Sequence, residues 1–196
     1  MDLDVIRSHK PKLIGEDRIL RTAVCIPLIE KNGEMELLFE VRSGRLSSQP
    51  GDICFPGGKI EPGEEPYETA IRELCEELLV EKENIEIIGQ TDIMHTENII
   101  VFPYVGLLKG YQGTFNEEVD SVFTVPVDFF LNTSPERYEI TYDMNFEEGF
   151  PFDRIVGGRD YNWRQRSSYQ LFYQYEDHCI WGLTAKLVTA FAGLYK

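Results

Sequence analysis

The chain has 196 residues, 42% hydrophobic and 27% charged, enough to bury one full core and to read as a single domain over 1–196. Its formal charge of −15, from 34 acidic and 19 basic side chains, argues against nucleic acid or an anionic membrane as the main partner, since both need basic patches. It leaves room for an anionic small substrate if a cation bridges the like charges, and no apolar run is long enough to span a bilayer. Met1 to Arg7 lacks the basic start and apolar stretch of a secretion signal, and Gly193-Leu194-Tyr195-Lys196 matches no retention or lipidation signal. A cytoplasmic location is the expectation. Cys25, Cys54, Cys75 and Cys179 form no C-x-x-C pair and read as buried free thiols rather than zinc ligands.

In chain order, the first 20 residues allow a short helix. Ala23 to Ile29 is a nearly continuous apolar run and predicts a buried strand. Asn32-Gly33 then signals a hairpin, with Met35, Leu37, Phe39 and Val41 alternating with more polar partners, Leu38 excepted, along a second strand to Arg42. Ser43 to Lys59 is a Gly/Ser/Pro-rich loop with a brief strand at Ile53-Cys54-Phe55. Pro66 suits the first turn of a helix and Glu64, Glu65 and Glu68 suit its positive end; Ala70, Ile71, Leu74 and Leu78 share one face. Further strands are expected at Ile85–Gly89, Ile99–Leu108, Phe123–Val125, Tyr138–Tyr142 and Tyr169–Tyr175. An amphipathic helix from Trp181 to Tyr195 would bury Thr184, Leu187, Val188, Phe191 and Tyr195. The fold class is α+β, an α/β/α sandwich around a mixed sheet.

The chemistry sits in Arg72-Glu73-Leu74-Cys75-Glu76-Glu77. At helical spacing Glu73, Glu76 and Glu77 project from one side, opposite Leu74 and Leu78, and like charges so placed repel. A divalent cation reverses that sign, and magnesium favours such oxygen ligands. An isolated cluster of this kind is ordinarily a solvated helix face. Here it lies in the string Gly58-x5-Glu64-x7-Arg72-Glu73-Leu74-x-Glu76-Glu77-x-Leu79, which resembles the Nudix box of the Nudix hydrolases. One position departs, with Leu78 standing where the family has a helix-ending glycine. The resemblance implies a Nudix-type fold and hydrolysis of a pyrophosphate bond with Mg2+ or Mn2+. It implies Glu73, Glu76 and Glu77 as metal ligands and Glu76 or a later acid, Glu118 or its neighbour Glu117, as general base. It implies an ion pair of Arg72 with Glu64 that fixes the loop, and Gly57 and Gly58 as a close backbone approach to metal or phosphate.

Upstream, Leu38 to Ser43, then Gly51, then Phe55-Pro56-Gly57-Gly58 resembles the extra motif of the coenzyme A pyrophosphatases, and Ile180 to Ala185 is similar to that subfamily's C-terminal helix start. Two positions differ: Ser47 replaces a second arginine, for which Arg45 could substitute, and Glu40 replaces a threonine. The resemblance implies hydrolysis of coenzyme A or its derivatives to 3′,5′-ADP and a 4′-phosphopantetheine species, with Arg42, Ser43 and Arg45 on the substrate. Other readings are hydrolysis of ADP-ribose, NADH or a sugar nucleotide, and a catalytically silent nucleotide sensor. His95 and His178 read as structural or exposed. The aromatics from Tyr138 to Tyr175 read as core and homodimer contacts.

Overall fold

The computed structural model describes residues 3–11 and 14–196; Met1, Asp2, Lys12 and Leu13 of the opening segment lie outside them. A short helix α1 (Asp4–Arg7) precedes the hairpin of β1 (Leu20–Lys31) and β2 (Glu34–Arg42). Asn32 and Gly33 have φ of 54° and 84°, the double left-handed turn that a two-residue hairpin needs. Next come β3 (Ile53–Cys54), β4 (Gly57–Lys59), α2 (Pro66–Leu78), β5 (Ile85–Gln90), β6 (Met94–His95) and β7 (Ile99–Leu108). The chain continues through β8 (Val119–Pro126), α3 (Val127–Asn132), β9 (Glu136–Tyr142), β10 (Arg166–Tyr175), β11 (His178–Trp181) and α4 (Gly182–Gly193).

Among the described residues, eight strands form a sheet of order β3-β2-β1-β7-β5, with β8 on β2, β4 on β1 and β6 on β7. The β1–β7 pair is parallel and the rest are antiparallel, so the sheet is mixed as expected. On one face Ala23, Cys25 and Leu38 pack under Ala70, Leu74 and Leu78 of α2. On the other Ile26, Leu28, Leu37 and Phe39 pack with Phe130 of α3 and with Leu187, Val188 and Phe191 of α4. That is the predicted α/β/α sandwich. A second sheet, β11-β10-β9, joins this second core through Leu171, Tyr173 and Ile180.

Because both sheet faces are covered, β2 does not alternate between core and solvent. Leu37, Leu38, Phe39 and Glu40 are all buried in succession, as for a strand between two layers. The expected polar alternation fails at Glu40, which is 1% exposed. The thiols also differ from expectation: Cys25 is buried, Cys54 and Cys75 are half-buried, and Cys179 is exposed. At the C-terminus Tyr195 is exposed rather than packed.

Pro66 opens α2 and a reciprocal pair of hydrogen bonds between Glu65 and Glu68 caps it, satisfying first-turn N–H groups. Its other end runs on past the place of the family's glycine, as the leucine at 78 implies. Leu78 is still helical and fully buried, one turn beyond Leu74. The left-handed residue is Leu79, with φ 51° and ψ 40°, so the glycine-like position lies one residue beyond that place. A leucine there costs roughly 1–2 kcal/mol. The loop after β7 offsets this by capping the helix: the Asn116 N–H donates to the Glu77 carbonyl at 2.8 Å and the Thr114 hydroxyl donates to the Leu78 carbonyl at 3.4 Å. In urea denaturation, Leu79→Gly is expected to stabilise the chain by about 1 kcal/mol, while Leu78→Ala costs about 2–5 kcal/mol.

Candidate active site

The last three turns of α2 bring its carboxylates against β4, but not equally. Glu77 is 4% exposed, Glu73 is half-buried, and Glu76 is exposed. The three do not share a solvent face, because Glu77 lies beside Leu74 and Leu78 at the edge of the core. Its Oε2 accepts the Gly57 N–H at 3.0 Å. Gly57 and Gly58 lie in a strand, paired to Val24 and Ala23 of β1, and neither has a positive φ. They are needed for space. A Cβ on Gly57 would come within 2.6 Å of the Ala23 carbonyl, and one on Gly58 would overlap the Glu73 carboxylate.

Arg72 organises the outer edge. Its Nε and Nη2 donate to Glu64 Oε1 and Oε2 at 2.8 and 3.1 Å, a bidentate pair. Its Nη1 donates to Glu73 at 2.6 Å and to Glu76 at 3.4 Å. Thr69 and the Glu61 N–H also donate to Glu64, at 2.6 and 3.2 Å. The Arg72 and Thr69 contacts hold the Glu64 carboxyl down at about 2.

The inner edge has the opposite character. Burial pushes the Glu77 carboxyl well above its ordinary range, and the nearby Glu40, Glu73 and Glu118 charges push it further. Burial raises Glu40 as well, with Glu118 and Glu73 adding to the effect while the Cys54 thiol and Arg42 oppose it. Glu73 is raised by burial against the pull of Arg72. Glu40 was not among the residues singled out for the site from sequence. The signal available was an acid inside an otherwise apolar strand.

Among the described residues, no three His, Cys, Asp or Glu side chains meet closely enough to hold a metal as they stand. Arg72 supplies the positive charge at Glu73 instead. The donor set nonetheless fits a hard cation: it is all oxygen, repulsive without a counter-charge, and includes the buried, partnerless Glu40 Oε2. Glu73 and Glu77 would hold the ion, with Glu76 on the exposed side.

Glu118 is exposed just before β8, and its carbonyl accepts the Ser43 N–H at 2.7 Å. Glu117 is exposed beside it. Ser43 is 3% exposed, and its hydroxyl accepts the Arg45 N–H at 3.4 Å, so it shapes the loop. Arg45 is exposed and stands outside the adjoining cavity. Arg42 lines that cavity, which is about 1470 Å³ and also bounded by Cys54, Gly57, Gly58, Trp181 and Lys186. The box glutamates are not in its wall; Gly57 and Gly58 form the partition between cavity and carboxylates. Arg164 and Arg166 also line it, together with the acids Asp52, Glu97 and Asp143, and Arg166 is paired with Glu97. Phe146 of the β9–β10 loop reaches it too, packed on Phe150, Phe152 and Trp163. His95 is exposed at its rim, while His178 stacks on Phe123.

The sequence model of the NUDIX domain matches residues 19–144, more than half of the chain, and the chain belongs to the Nudix family. It is 37% identical over 129 residues to Nudix hydrolase 3 of Caenorhabditis elegans, covering 62% of this chain and 54% of that one. It is 37% identical over 120 residues to a peroxisomal coenzyme A diphosphatase of Mus musculus, covering 59% and 50%. The chain thus spans about half the length of these two relatives. Over 182 residues it is 29% identical to the Nudix hydrolase NudL of Photorhabdus laumondii, covering 91% and 86%. A MutT/nudix family protein of Enterococcus faecalis shares the fold, with a TM-score of 0.51 at 14% identity over 97% of this chain and 66% of that one. No helix among the described residues is long and apolar enough to cross a membrane.

Because burial raises the Glu77 carboxyl, the folded chain keeps a proton that the unfolded chain releases above about pH 4.5, and stability falls as pH rises through that region. Glu64 acts in the opposite sense: its contribution is full above the ordinary carboxylate range and is lost as pH falls toward 2. With chelator present, the melting temperature is expected to fall between pH 5 and 8.5, and Glu77→Gln to flatten that slope. A slope unchanged in the variant would contradict the assignment.

Proposed function

We propose that the chain is a divalent-metal-dependent pyrophosphohydrolase acting on coenzyme A or its derivatives, releasing 3′,5′-ADP and a 4′-phosphopantetheine species. The observation that carries this reading is the partition at Gly57-Gly58. On one side stand the self-repelling carboxylates of α2, and on the other a large cavity whose mixed wall carries Arg42, Arg164 and Lys186. The cavity suits an elongated substrate with separated phosphates, and the coenzyme A diphosphatase relative supports the choice among nucleoside diphosphate compounds.

Glu73, Glu76 and Glu77 would hold a Mg2+ or Mn2+ ion, which would neutralise the pyrophosphate oxygens and acidify the attacking water. The protein's own groups do the rest. Arg42 and Lys186 face the cavity and bind phosphate oxygens by charge-assisted hydrogen bonds. The Gly57 N–H fixes the orientation of Glu77. Arg72, locked by Glu64, keeps β4 and α2 in register through its contact with the Lys59 carbonyl at 3.4 Å. The proton goes to Glu76 or Glu118 as general base in this reading, and the exposure of both acids is compatible with it.

Purified protein incubated with coenzyme A and Mg2+ is expected to yield 3′,5′-ADP, resolved by chromatography. Glu77→Gln should lower kcat by at least about two orders of magnitude, the scale for loss of a preorganised electrostatic contact. Arg42→Ala should raise KM about tenfold or more. Between Glu76→Gln and Glu118→Gln, the variant that loses kcat while keeping Mn2+ affinity identifies the base. Faster turnover of ADP-ribose, NADH or a sugar nucleotide would move the substrate. Ligand binding with no turnover would make the chain a sensor.

A further inference from the structure

Glu40 brings an orphan oxygen to the carboxylate cluster but is given no part in holding the ion above, and the fold gives it an unusual place. Side chains on β2 alternate between the two layers: Leu37 and Phe39 enter the α3/α4 core, while Leu38 packs with Leu74 and Leu78 under α2. Glu40 extends the Leu38 row along the same face, which directs it beneath the end of α2 that bears Glu77. Its cross-strand partners are Cys54 on β3 and Val122 on β8, so it is central in the sheet. It is 1% exposed.

A carboxyl in that position is normally paired or replaced by an apolar group. Glu40 Oε1 accepts a hydrogen bond from Cys54 Sγ at 3.1 Å, a weak donor. Oε2 is fully enclosed and has no partner. The charged groups acting on it are Arg42, from its own strand, and Glu73 and Glu118; Glu77 in turn feels Glu40 more strongly than any other charge. An unpartnered, buried oxygen donor therefore lies on the α2 side of the sheet, within electrostatic reach of Glu73, Glu77 and Glu118. No apolar or packing argument explains an acid here, since Leu38 fills the equivalent place one step along.

We propose that Glu40 is a further ligand of the divalent cation, donating Oε2 from the sheet opposite Glu77 on the helix. The proposal rests on the metal site assigned above. It makes the ion a clasp between β2 and α2, and it accounts for the partnerless oxygen and for Glu77 burial together: a cation entering between them satisfies both. Glu40 is then a ligand from outside the Gly58–Leu79 segment.

The test is Mn2+ binding by the full-length, metal-free chain, followed through the free-ion electron paramagnetic resonance signal. Wild type, Glu40→Gln, Glu40→Thr and Glu77→Gln are compared, each with its chelator melting temperature to show that it folds. Glu40→Gln and Glu40→Thr are expected to weaken the tightest Mn2+ site at least about tenfold, with melting temperatures at or above that of wild type because a buried carboxyl has been removed. Wild-type Mn2+ affinity in both Glu40 variants, with affinity lost in Glu77→Gln, would overturn the proposal and leave the metal site intact. Absence of Mn2+ binding in wild type would overturn both.

Discussion

Desolvation of the Glu77 carboxylate is the constraint on which the rest of the site depends. A helix that buries Leu74 and Leu78 must also carry Glu77 to the edge of the core, where it meets one backbone N–H and three other acids. The surrounding features follow from this. Gly57 must be a glycine so that its strand can lie against β1 and offer that N–H. Gly58 must be one because Glu73 occupies the space a Cβ would fill. Arg72 supplies the outer counter-charge and is itself fixed by Glu64. On the inner side Arg42 offsets the Glu40 charge only in part, since burial and the neighbouring acids still raise Glu40 and Glu77, which makes the cluster receptive to a divalent cation.

The same arrangement joins binding to chemistry. β4 is a shared wall, carboxylates on one side and the cavity on the other. In the proposed reading, a phosphate held by Arg42 would lie next to the α2 carboxylates without any need for them to line the cavity. The loop that caps α2 through Asn116 and Thr114 also carries Glu118, so helix termination and the second candidate base are parts of one structure. Strain at Leu79 is tolerated because that loop takes up the last carbonyls.

Much of this was legible in the sequence. The hairpin at Asn32-Gly33, the helix opened by Pro66 and the parallel strand at Ile99–Leu108 carry local signals, turn chemistry or apolar runs, that specify them independently of context. What local pattern could not show was covered by tertiary structure. The Gly57–Lys59 strand was hidden because glycines signal loops unless something else demands their lack of a side chain. That the helix would outrun the family's glycine followed from Leu78, but the left-handed residue itself, Leu79, leaves no trace in composition. Glu40 resembled the polar half of an alternating strand, and only the presence of helices on both faces turns that position inward. Ser43 and Arg45, chosen by motif, shape the loop or face solvent, while Arg42 reaches the cavity.

The carboxylate cluster as a cation site is most directly tested by anomalous scattering from crystals grown with Mn2+ and measured at the manganese edge. A peak about 2.1 Å from oxygens of Glu73 and Glu77, with Arg72 withdrawn from Glu73, is the result the structure predicts. An empty cluster at saturating Mn2+, with Arg72 still donating to Glu73, would contradict it.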